Sequence, residues 1–209
     1  MTVKVKICGL TTLWDAQRCA EYGADYLGFI LYPKSPRFIN PERAFELISK
    51  LPAGVKKVAV VVNADADMVN GLLEHGFDLV QLHGDEDAEI LKKVPTSRVI
   101  KVFRVSDTPP SEEELGRWEG VYAFLLDTFK RGQYGGTGET FNWEIAAELS
   151  RKGYRIFLSG GLTPENVAEA VRIVKPYAVD TSSGVELTKG KKDLEKVRRF
   201  IENAKSVSL

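Results

Sequence analysis

The chain has 209 residues, 44% of them hydrophobic and 28% charged, and this length favours one domain covering residues 1–209. Its 29 Lys and Arg residues balance its 29 Asp and Glu residues, so the charge points neither to a nucleic-acid partner nor to an anionic membrane surface. No run reaches the roughly 20 apolar residues that span a bilayer, and the start of the chain lacks the apolar core of a signal peptide. We therefore expect a cytoplasmic protein with no membrane or nucleic-acid partner.

Eight short apolar runs, rich in β-branched and aromatic residues, predict strands buried on both faces of a parallel sheet. These strands are predicted at 3–8, 26–31, 56–62, 78–82, 98–104, 121–127, 155–159 and 177–181. Amphipathic segments between them predict helices at 12–22, 41–50, 65–74, 85–93, 142–152, 164–174 and 190–205. Pro109 and Pro110 interrupt the segment 106–119, which leaves room for a short or irregular fifth helix at 111–117. Asn40 and Thr163, each followed by Pro and Glu, are predicted helix N-caps.

Strict alternation of strands and helices predicts an α/β protein, either a doubly wound sheet or an eight-stranded barrel. A doubly wound sheet with a dinucleotide site would carry a G-x-G-x-x-G loop after its first strand. The chain has Cys8-Gly-Leu-Thr-Thr there instead. Eight units in this length fit a compact barrel, so we predict a single-domain (β/α)8 TIM barrel.

The active site of such a barrel lies at the carboxyl ends of its strands, where loops often bind phosphate after strands seven and eight. Two turns follow those predicted strands, one containing Gly160 and Gly161, the other Asp180 with Ser182 and Ser183. Their glycines would let backbone N–H groups approach an anion, and a helix N-terminus follows the first turn. The alternative is two tight turns with no ligand. We predict a phosphate site there.

Cys8 and Asp127 end the first and sixth predicted strands. A thiol at a strand exit is better placed for chemistry than one in mid-strand, and a carboxyl group at an apolar mouth suits a general acid. The alternatives are an inert buried thiol and a loop cap. Cys19 lies within a helical pattern and is predicted to pack in the core. Two cysteines and two histidines give neither a disulfide framework nor zinc-site spacing, so we predict no metal.

Three further features surround these exits. Arg37, in a basic loop, suits a substrate carboxylate, although a solvated turn fits the pattern nearly as well. Gln81 and His83 end the fourth strand, where His83 could be a polar wall residue, a proton carrier or a structural donor. The glycine-rich segment 128–141 lacks the Gly-Lys-Ser/Thr of a nucleotide site, so a lid is the more natural interpretation.

Motifs along almost the whole chain resemble phosphoribosylanthranilate isomerase, an enzyme of tryptophan biosynthesis built on a small (β/α)8 barrel. They are KICGLTT, GFILYPKSPRFI, VVVNAD, VQLHGDE, LLDT, YGGTGETFNW, LSGGLTPENV and VDTSSGVE. The resemblance implies an Amadori rearrangement of N-(5-phosphoribosyl)anthranilate, a small phosphorylated substrate, with no metal or organic cofactor. It also implies a monomer or a homodimer, since the family includes both.

By motif, the resemblance implies that Cys8 is the general base and Asp127 the general acid. Arg37 would hold the anthranilate carboxylate, and Gly160, Gly161, Ser182 and Ser183 would surround the phosphate. Gln81, His83 and Asp180 would line the pocket. The alternatives are a related phosphate-binding barrel of the same pathway, such as indole-glycerol-phosphate synthase, and a non-catalytic barrel that only binds a phosphorylated ligand. The first would carry catalytic lysines and a glutamate at its strand exits, where this chain has Cys8 and Asp127.

Overall fold

The computed structural model describes residues 2–128 and 142–209. Eight parallel strands follow one another around a closed barrel, and the last strand pairs with the first. They are β1 (Lys4–Ile7), β2 (Tyr26–Ile30), β3 (Lys56–Val61), β4 (Leu79–Leu82), β5 (Val99–Val105), β6 (Ala123–Thr128), β7 (Ile156–Leu158) and β8 (Ala178–Thr181). The predicted TIM barrel is confirmed, and each strand end lies within about two residues of its predicted position, the usual uncertainty of such boundaries.

Helices cover the outside of the barrel. The α-helices of the described ranges are α1 (Leu13–Glu21), α2 (Pro41–Ile48), α3 (Ala66–Glu74), α4 (Glu112–Gly116), α5 (Trp143–Arg151), α6 (Val167–Val174) and α7 (Leu194–Lys205). Short 3₁₀ helices lie at Ala88–Lys92, Thr96–Arg98 and Ser183–Val185, and a small hairpin pairs β9 (Glu186–Thr188) with β10 (Lys191–Lys192). None of the helices in these ranges has the length and apolar character needed to cross a membrane.

The predicted short fifth helix is confirmed as α4. Ser111 begins it with a capping box, in which Ser111 Oγ accepts the N–H of Glu114 and the Glu114 carboxylate accepts the N–H of Ser111. The predicted cap of α2 is confirmed as well, because Asn40 Oδ1 accepts the N–H of Arg43 at 2.8 Å. Local signals of this kind act within one helical turn, which is why the sequence reveals them.

The predicted helix at 85–93 was wrong, since the chain forms only the 3₁₀ helix Ala88–Lys92 there. The buried carboxylate of Glu86 accepts the backbone N–H of Asn63 at 2.8 Å and the ammonium group of Lys101 at 3.0 Å. These contacts hold the start of the segment in a non-helical conformation. Pro95 follows soon after and prevents a longer helix.

Two other predicted starts were wrong. Helix α7 begins at Leu194 rather than at 190, because Lys191 and Lys192 belong to the hairpin and Asp193 caps the helix. Helix α6 begins at Val167, and Thr163 is not its cap. Asn166 instead accepts the N–H of Thr163 at 2.8 Å and donates to the carbonyl of Gly161 at 3.0 Å. These bonds form a turn that separates β7 from α6.

The strands separate two cores. Alternate residues point to opposite faces of a strand, so Val5 and Ile7 pack outward against the helices while Lys6 points into the barrel. The inner core is small and consists of Tyr26, Val58, Leu79, Ile100, Val102, Ala123, Leu125, Phe157 and Ala178. Nearer the carboxyl ends of the strands, the inward-facing residues become polar. This change of polarity marks the site.

Candidate active site

A cavity of about 520 Å³ opens at the carboxyl ends of the strands. It brings together residues from both halves of the barrel, including Cys8 and Asp127. The other lining residues are Ile30, Tyr32, Lys34, Ser35, Pro36, Arg37, Val60, Val62, Gln81, His83, Ser159, Asp180, Ser182 and Lys189. Seven of the ten predicted site residues therefore line one cavity. The other three, Gly160, Gly161 and Ser183, do not line it.

A buried ion pair supports the floor of this cavity. Lys6 and Asp180 are register partners on β1 and β8, and Lys6 Nζ lies 2.9 Å from Asp180 Oδ1. The second carboxylate oxygen of Asp180 accepts the hydroxyl of Ser159 at 3.1 Å. Burial opposes the charge on Lys6, but Asp180 and Cys8 outweigh it and raise the pKa of Lys6. The ammonium group is therefore charged at neutral pH.

Cys8 directly follows β1 and, two residues after Lys6, lines the cavity. Its side chain is a free thiol and only 5% exposed. Burial raises the pKa of the Cys8 thiol, an effect that Lys6 and Lys192 oppose and that Asp180 reinforces. The resting group is a thiol, with two ammonium charges near enough to favour its thiolate.

Asp127 is the penultimate residue of β6 and faces the cavity from another side. Its Oδ1 accepts the N–H of Thr128 at 2.9 Å, and its Oδ2 lies 3.4 Å from Nε2 of His83. These two atoms do not form a hydrogen bond, and Nε2 has no hydrogen-bond partner among residues 2–128 and 142–209. The other ring nitrogen, Nδ1, lies 3.0 Å from Nε2 of Gln81. Gln81 thus orients His83, and His83 adjoins the carboxyl group.

Several polar atoms around the cavity are buried without partners. Within the described part of the chain, five buried side-chain polar atoms lack a hydrogen bond, and three of them belong to cavity residues. These three are Gln81 Oε1, His83 Nε2 and Ser182 Oγ. Buried polar groups are normally paired, since leaving one unpaired costs about 1–3 kcal/mol. Their concentration here indicates a site built for a polar ligand.

The predicted phosphate turns lie beside the cavity. Gly160 and Gly161 have φ values of +88° and +66°, a conformation that side chains disfavour. A Cβ atom at Gly160 would also stand 2.8 Å from the backbone nitrogen of Thr128, so the turn packs closely on the end of β6. Gly160, Gly161 and Ser183 do not line the cavity, but their neighbours Ser159 and Ser182 do. The two turns therefore border the same space.

Arg37 reaches the cavity while already paired. Its Nε and Nη2 donate to the two carboxylate oxygens of Glu186 at 2.7 and 2.8 Å, and both side chains are more than nine-tenths buried. In the described ranges, Nη1 donates no hydrogen bond. One edge of the guanidinium group is therefore available to a ligand.

Sequence reasoning missed Lys6, Glu186 and Lys192. A signal existed for Lys6, because in the alternating run K-V-K-I-C it shares the inward face of Cys8. Glu186 and Lys192 gave no such signal, since Glu186 pairs with Arg37, 149 positions away, and Lys192 pairs with Glu186 across the turn of the hairpin. The predicted lid at 128–141 lies outside the described residues except for Thr128.

The chain is similar to known proteins over almost its whole length. The family described as N-(5'-phosphoribosyl)anthranilate (PRA) isomerase matches residues 5–203. N-(5'-phosphoribosyl)anthranilate isomerase of Aquifex aeolicus is 58% identical over 205 residues, which cover 98% of this chain and 99% of that protein.

Two solved structures are similar over nearly the whole fold. A crystal structure of phosphoribosylanthranilate isomerase in complex with reduced 1-(o-carboxyphenylamino)-1-deoxyribulose 5-phosphate has a TM-score of 0.83 and 40% identity, covering 98% of this chain and 100% of that one. Monomers generated from the dimeric isomerase of Thermotoga maritima give the same TM-score of 0.83, identity of 40% and coverage of 98% and 100%.

Proposed function

The chain belongs to the N-(5'-phosphoribosyl)anthranilate isomerase family, and on this premise we propose how its residues divide the work of the reaction. The enzyme is an isomerase of tryptophan biosynthesis. It converts an aminoaldose, N-(5'-phosphoribosyl)anthranilate, into the aminoketose 1-(2-carboxyphenylamino)-1-deoxyribulose 5-phosphate. That reaction moves protons and rearranges double bonds, so it requires an acid and a base.

Asp127 is the proposed acid. In its protonated form it gives a proton to the furanose ring oxygen, the bond from that oxygen to C1 breaks, and the nitrogen lone pair forms a protonated Schiff base. Cys8 is the proposed base: its thiol first gives up its proton to solvent, and the resulting thiolate removes the proton from C2. The released electron pair forms the C1–C2 double bond and neutralises the nitrogen. The resulting enolamine tautomerises to the ketone.

One observation carries this assignment: Cys8 and Asp127 line the same cavity, each at the carboxyl end of its strand. The surroundings suit the two roles. Lys6 and Lys192 favour the Cys8 thiolate electrostatically, against the effect of burial, which raises the pKa of the thiol. His83, 3.4 Å from Asp127, faces the carboxyl group that must give up and regain a proton.

The two ends of the substrate are proposed to bind at opposite rims. Gly160, Gly161, Ser182 and Ser183 would surround the phosphate, which supplies a partner for the unpaired Ser182 hydroxyl. Arg37 would take the anthranilate carboxylate through its free edge, because arginine pairs well with carboxylates. Gln81 and His83 offer unpaired polar atoms between these rims, and Asp180 supports the floor.

Turnover of freshly made phosphoribosylanthranilate by the purified chain tests the proposal. Losing a positioned acid or base typically costs about 10²–10⁴-fold, so Cys8→Ala and Asp127→Asn should each lose that much kcat. Both variants should still bind product, because the proposed phosphate and carboxylate contacts are unchanged. Cys19→Ala is the matched control and should keep its kcat. If Cys8→Ala stays within a few fold of the parent enzyme, Cys8 is not the base.

The phosphate turns have a separate test. Inorganic phosphate should inhibit competitively against substrate, and Ser182→Ala should weaken that inhibition. Noncompetitive inhibition would move the phosphate site elsewhere.

We also propose that the enzyme acts in the cytoplasm as a monomer or a homodimer. Both cysteines are buried free thiols, which suits a reducing compartment. A similar isomerase from Thermotoga maritima is described as dimeric, and monomers have been generated from it. Both the monomeric and the dimeric state are therefore compatible with this fold. Light scattering after size-exclusion chromatography distinguishes them, and a larger assembly would contradict the proposal.

A further inference from the structure

A buried three-residue ion cluster, formed by Arg37, Glu186 and Lys192, borders the cavity. Glu186 Oε1 accepts from Arg37 Nε at 2.7 Å and lies 3.3 Å from Lys192 Nζ. The Lys192 side chain is fully buried, and those of Arg37 and Glu186 are 8% and 5% exposed. Hydrogen bonds to Arg37 and the Lys192 charge outweigh burial and hold the pKa of Glu186 below its ordinary value. Burial lowers the pKa of Lys192, an effect that Glu186 opposes. With Lys192 protonated, the cluster contains two cations and one anion.

The cluster also connects the two proposed anion sites. Besides Glu186, Lys192 Nζ donates to the backbone carbonyl of Ser182 at 3.1 Å. The aliphatic part of Arg37 passes close to Gly9, where a Cβ atom would stand 2.7 Å from Arg37 Cδ and 2.7 Å from Ser182 Oγ. Arg37 and Ser182 therefore share one tightly packed wall. The hairpin β9–β10 contributes both Glu186 and Lys192 to it.

The geometry points to Glu186 and Lys192 as positioning residues. Through them the hairpin orients Arg37 towards the substrate carboxylate and Ser182 towards the phosphate. This inference rests on the proposed function of Arg37 and Ser182. The carboxylate of Glu186 occupies Nε and Nη2, so the guanidinium plane is fixed with its Nη1 edge unpaired. The cluster carries one net positive charge, which a single substrate carboxylate would neutralise. Lys192 provides that excess charge and fixes the Ser182 backbone.

Glu186→Gln separates positioning from simple electrostatics. The glutamine amide would present N–H groups to the N–H groups of Arg37, so the two-point contact is lost. If Glu186 positions Arg37, KM should rise by roughly three- to a hundredfold, the range for coupled contacts in one network. If Glu186 only lowers the local charge, its removal should instead tighten substrate binding. Unchanged or lowered KM would overturn the inference.

Glu186→Asp provides a second variant in case the first does not fold. It keeps the negative charge but is one methylene shorter, so it cannot hold both Arg37 nitrogens in the same position. KM should again rise while kcat changes little. A change in thermal stability alone, with KM unaltered, would mean that the cluster serves only the fold and would overturn the inference.

Lys192→Met tests the link to Ser182. Inhibition by anthranilate, a carboxylate without phosphate, and by inorganic phosphate should both weaken, because the variant loses the excess charge and releases the Ser182 carbonyl. Lys191→Met is the matched control, since Lys191 is exposed on the same hairpin and should leave both inhibition constants unchanged. Equal behaviour of the two variants would contradict the role of Lys192.

A double variant separates failure of this inference from failure of the proposed function. If Glu186 acts through Arg37, Glu186→Gln should add no further rise in KM in an Arg37→Ala background. An Arg37→Ala variant with unchanged KM would refute the proposed carboxylate site itself. An Arg37→Ala variant with raised KM, beside a Glu186→Gln variant with normal KM, would refute only the positioning role.

Discussion

Replacing Lys6 with Met should strongly destabilise the protein. Lys6 is fully buried, and its ammonium group lies 2.9 Å from Asp180 Oδ1 at the base of the site. Met has a similar length but no charge, so Asp180 would remain as a buried carboxylate whose nearest cation is gone. Removing one partner of a buried ion pair typically costs about 3–5 kcal/mol. For a chain of this size, that loss corresponds to a fall in Tm of roughly 6–20 °C.

Urea unfolding at neutral pH measures this loss, and strand β1 supplies a control. Lys4 lies two residues away and pairs with Asp25 at 3.1 Å, but its side chain is 48% exposed. Asp25 also keeps a second partner, Lys205, at 3.0 Å. Exposed pairs contribute about 0–1 kcal/mol. Lys4→Met should therefore cost about 1 kcal/mol or less, although it removes the same kind of side chain from the same strand.

The double variant Lys6→Met/Asp180→Asn tests the reasoning behind that magnitude. It leaves no unpaired charge, and the Ser159 hydroxyl, 3.1 Å from Asp180 Oδ2, remains as a partner for the amide. Its free energy of unfolding should exceed that of Lys6→Met alone. A loss below about 1 kcal/mol for Lys6→Met would refute the argument, as would a double variant in which the two single losses simply add.

The remaining predictions concern the thiols and the turn after β7. Iodoacetamide should inactivate the enzyme by alkylating Cys8, which lines the cavity, and bound product should protect it. The fully buried Cys19 should stay unmodified, and labelling of Cys19 before Cys8 would contradict this prediction. Because burial raises the pKa of Cys8 above 9.0, the rate at which the free enzyme is alkylated should still increase with pH near pH 9. An alkylation rate that levels off near neutral pH would contradict this prediction. Burial raises the pKa of Cys19 to about 12 from 9.0, so its contribution to folding is full below pH 9 and is lost as the pH rises towards 12. Between pH 9 and 12, the free energy of unfolding of the parent chain, measured by urea titration, should fall by about 1.4 kcal/mol more per pH unit than that of Cys19→Ala. Equal falls for the two proteins would refute the raised pKa of Cys19. Gly160→Ala should lower the free energy of unfolding by about 1–2 kcal/mol because of its φ of +88° alone. The added Cβ would also press on Thr128, next to Asp127, and should lower kcat. Normal stability and normal kcat would show that the turn is not constrained.

Much of the fold was predictable from the sequence because its signals are local. Alternation of apolar runs defined all eight strands, and the Asn40 and Ser111 segments contain their own helix starts. Two of the three wrong predictions share one cause, and the third, at 163–166, comes from the local bonds of Asn166. At 85–93 and 190–193, a buried side chain, Glu86 or Lys192, bonds to a distant segment and overrides the local helical pattern.

The site divides in the same way. Strand ends place Cys8, Gln81, Asp127 and Asp180 at one end of any parallel barrel, so the sequence by itself determined that these groups would meet. It also determined the two glycine turns, since such turns depend on neighbouring residues only. The order of elements along the chain is enough to bring these features to one rim.

Only the tertiary structure decided the charge partners. Lys6 and Asp180 are 174 positions apart and pair because β8 closes the barrel against β1, and Arg37 meets Glu186 across 149 positions. No local preference encodes such pairs, because each depends on the register of distant strands and on which loops pack together. These partners set the electrostatic environment of the thiol and the orientation of the guanidinium group.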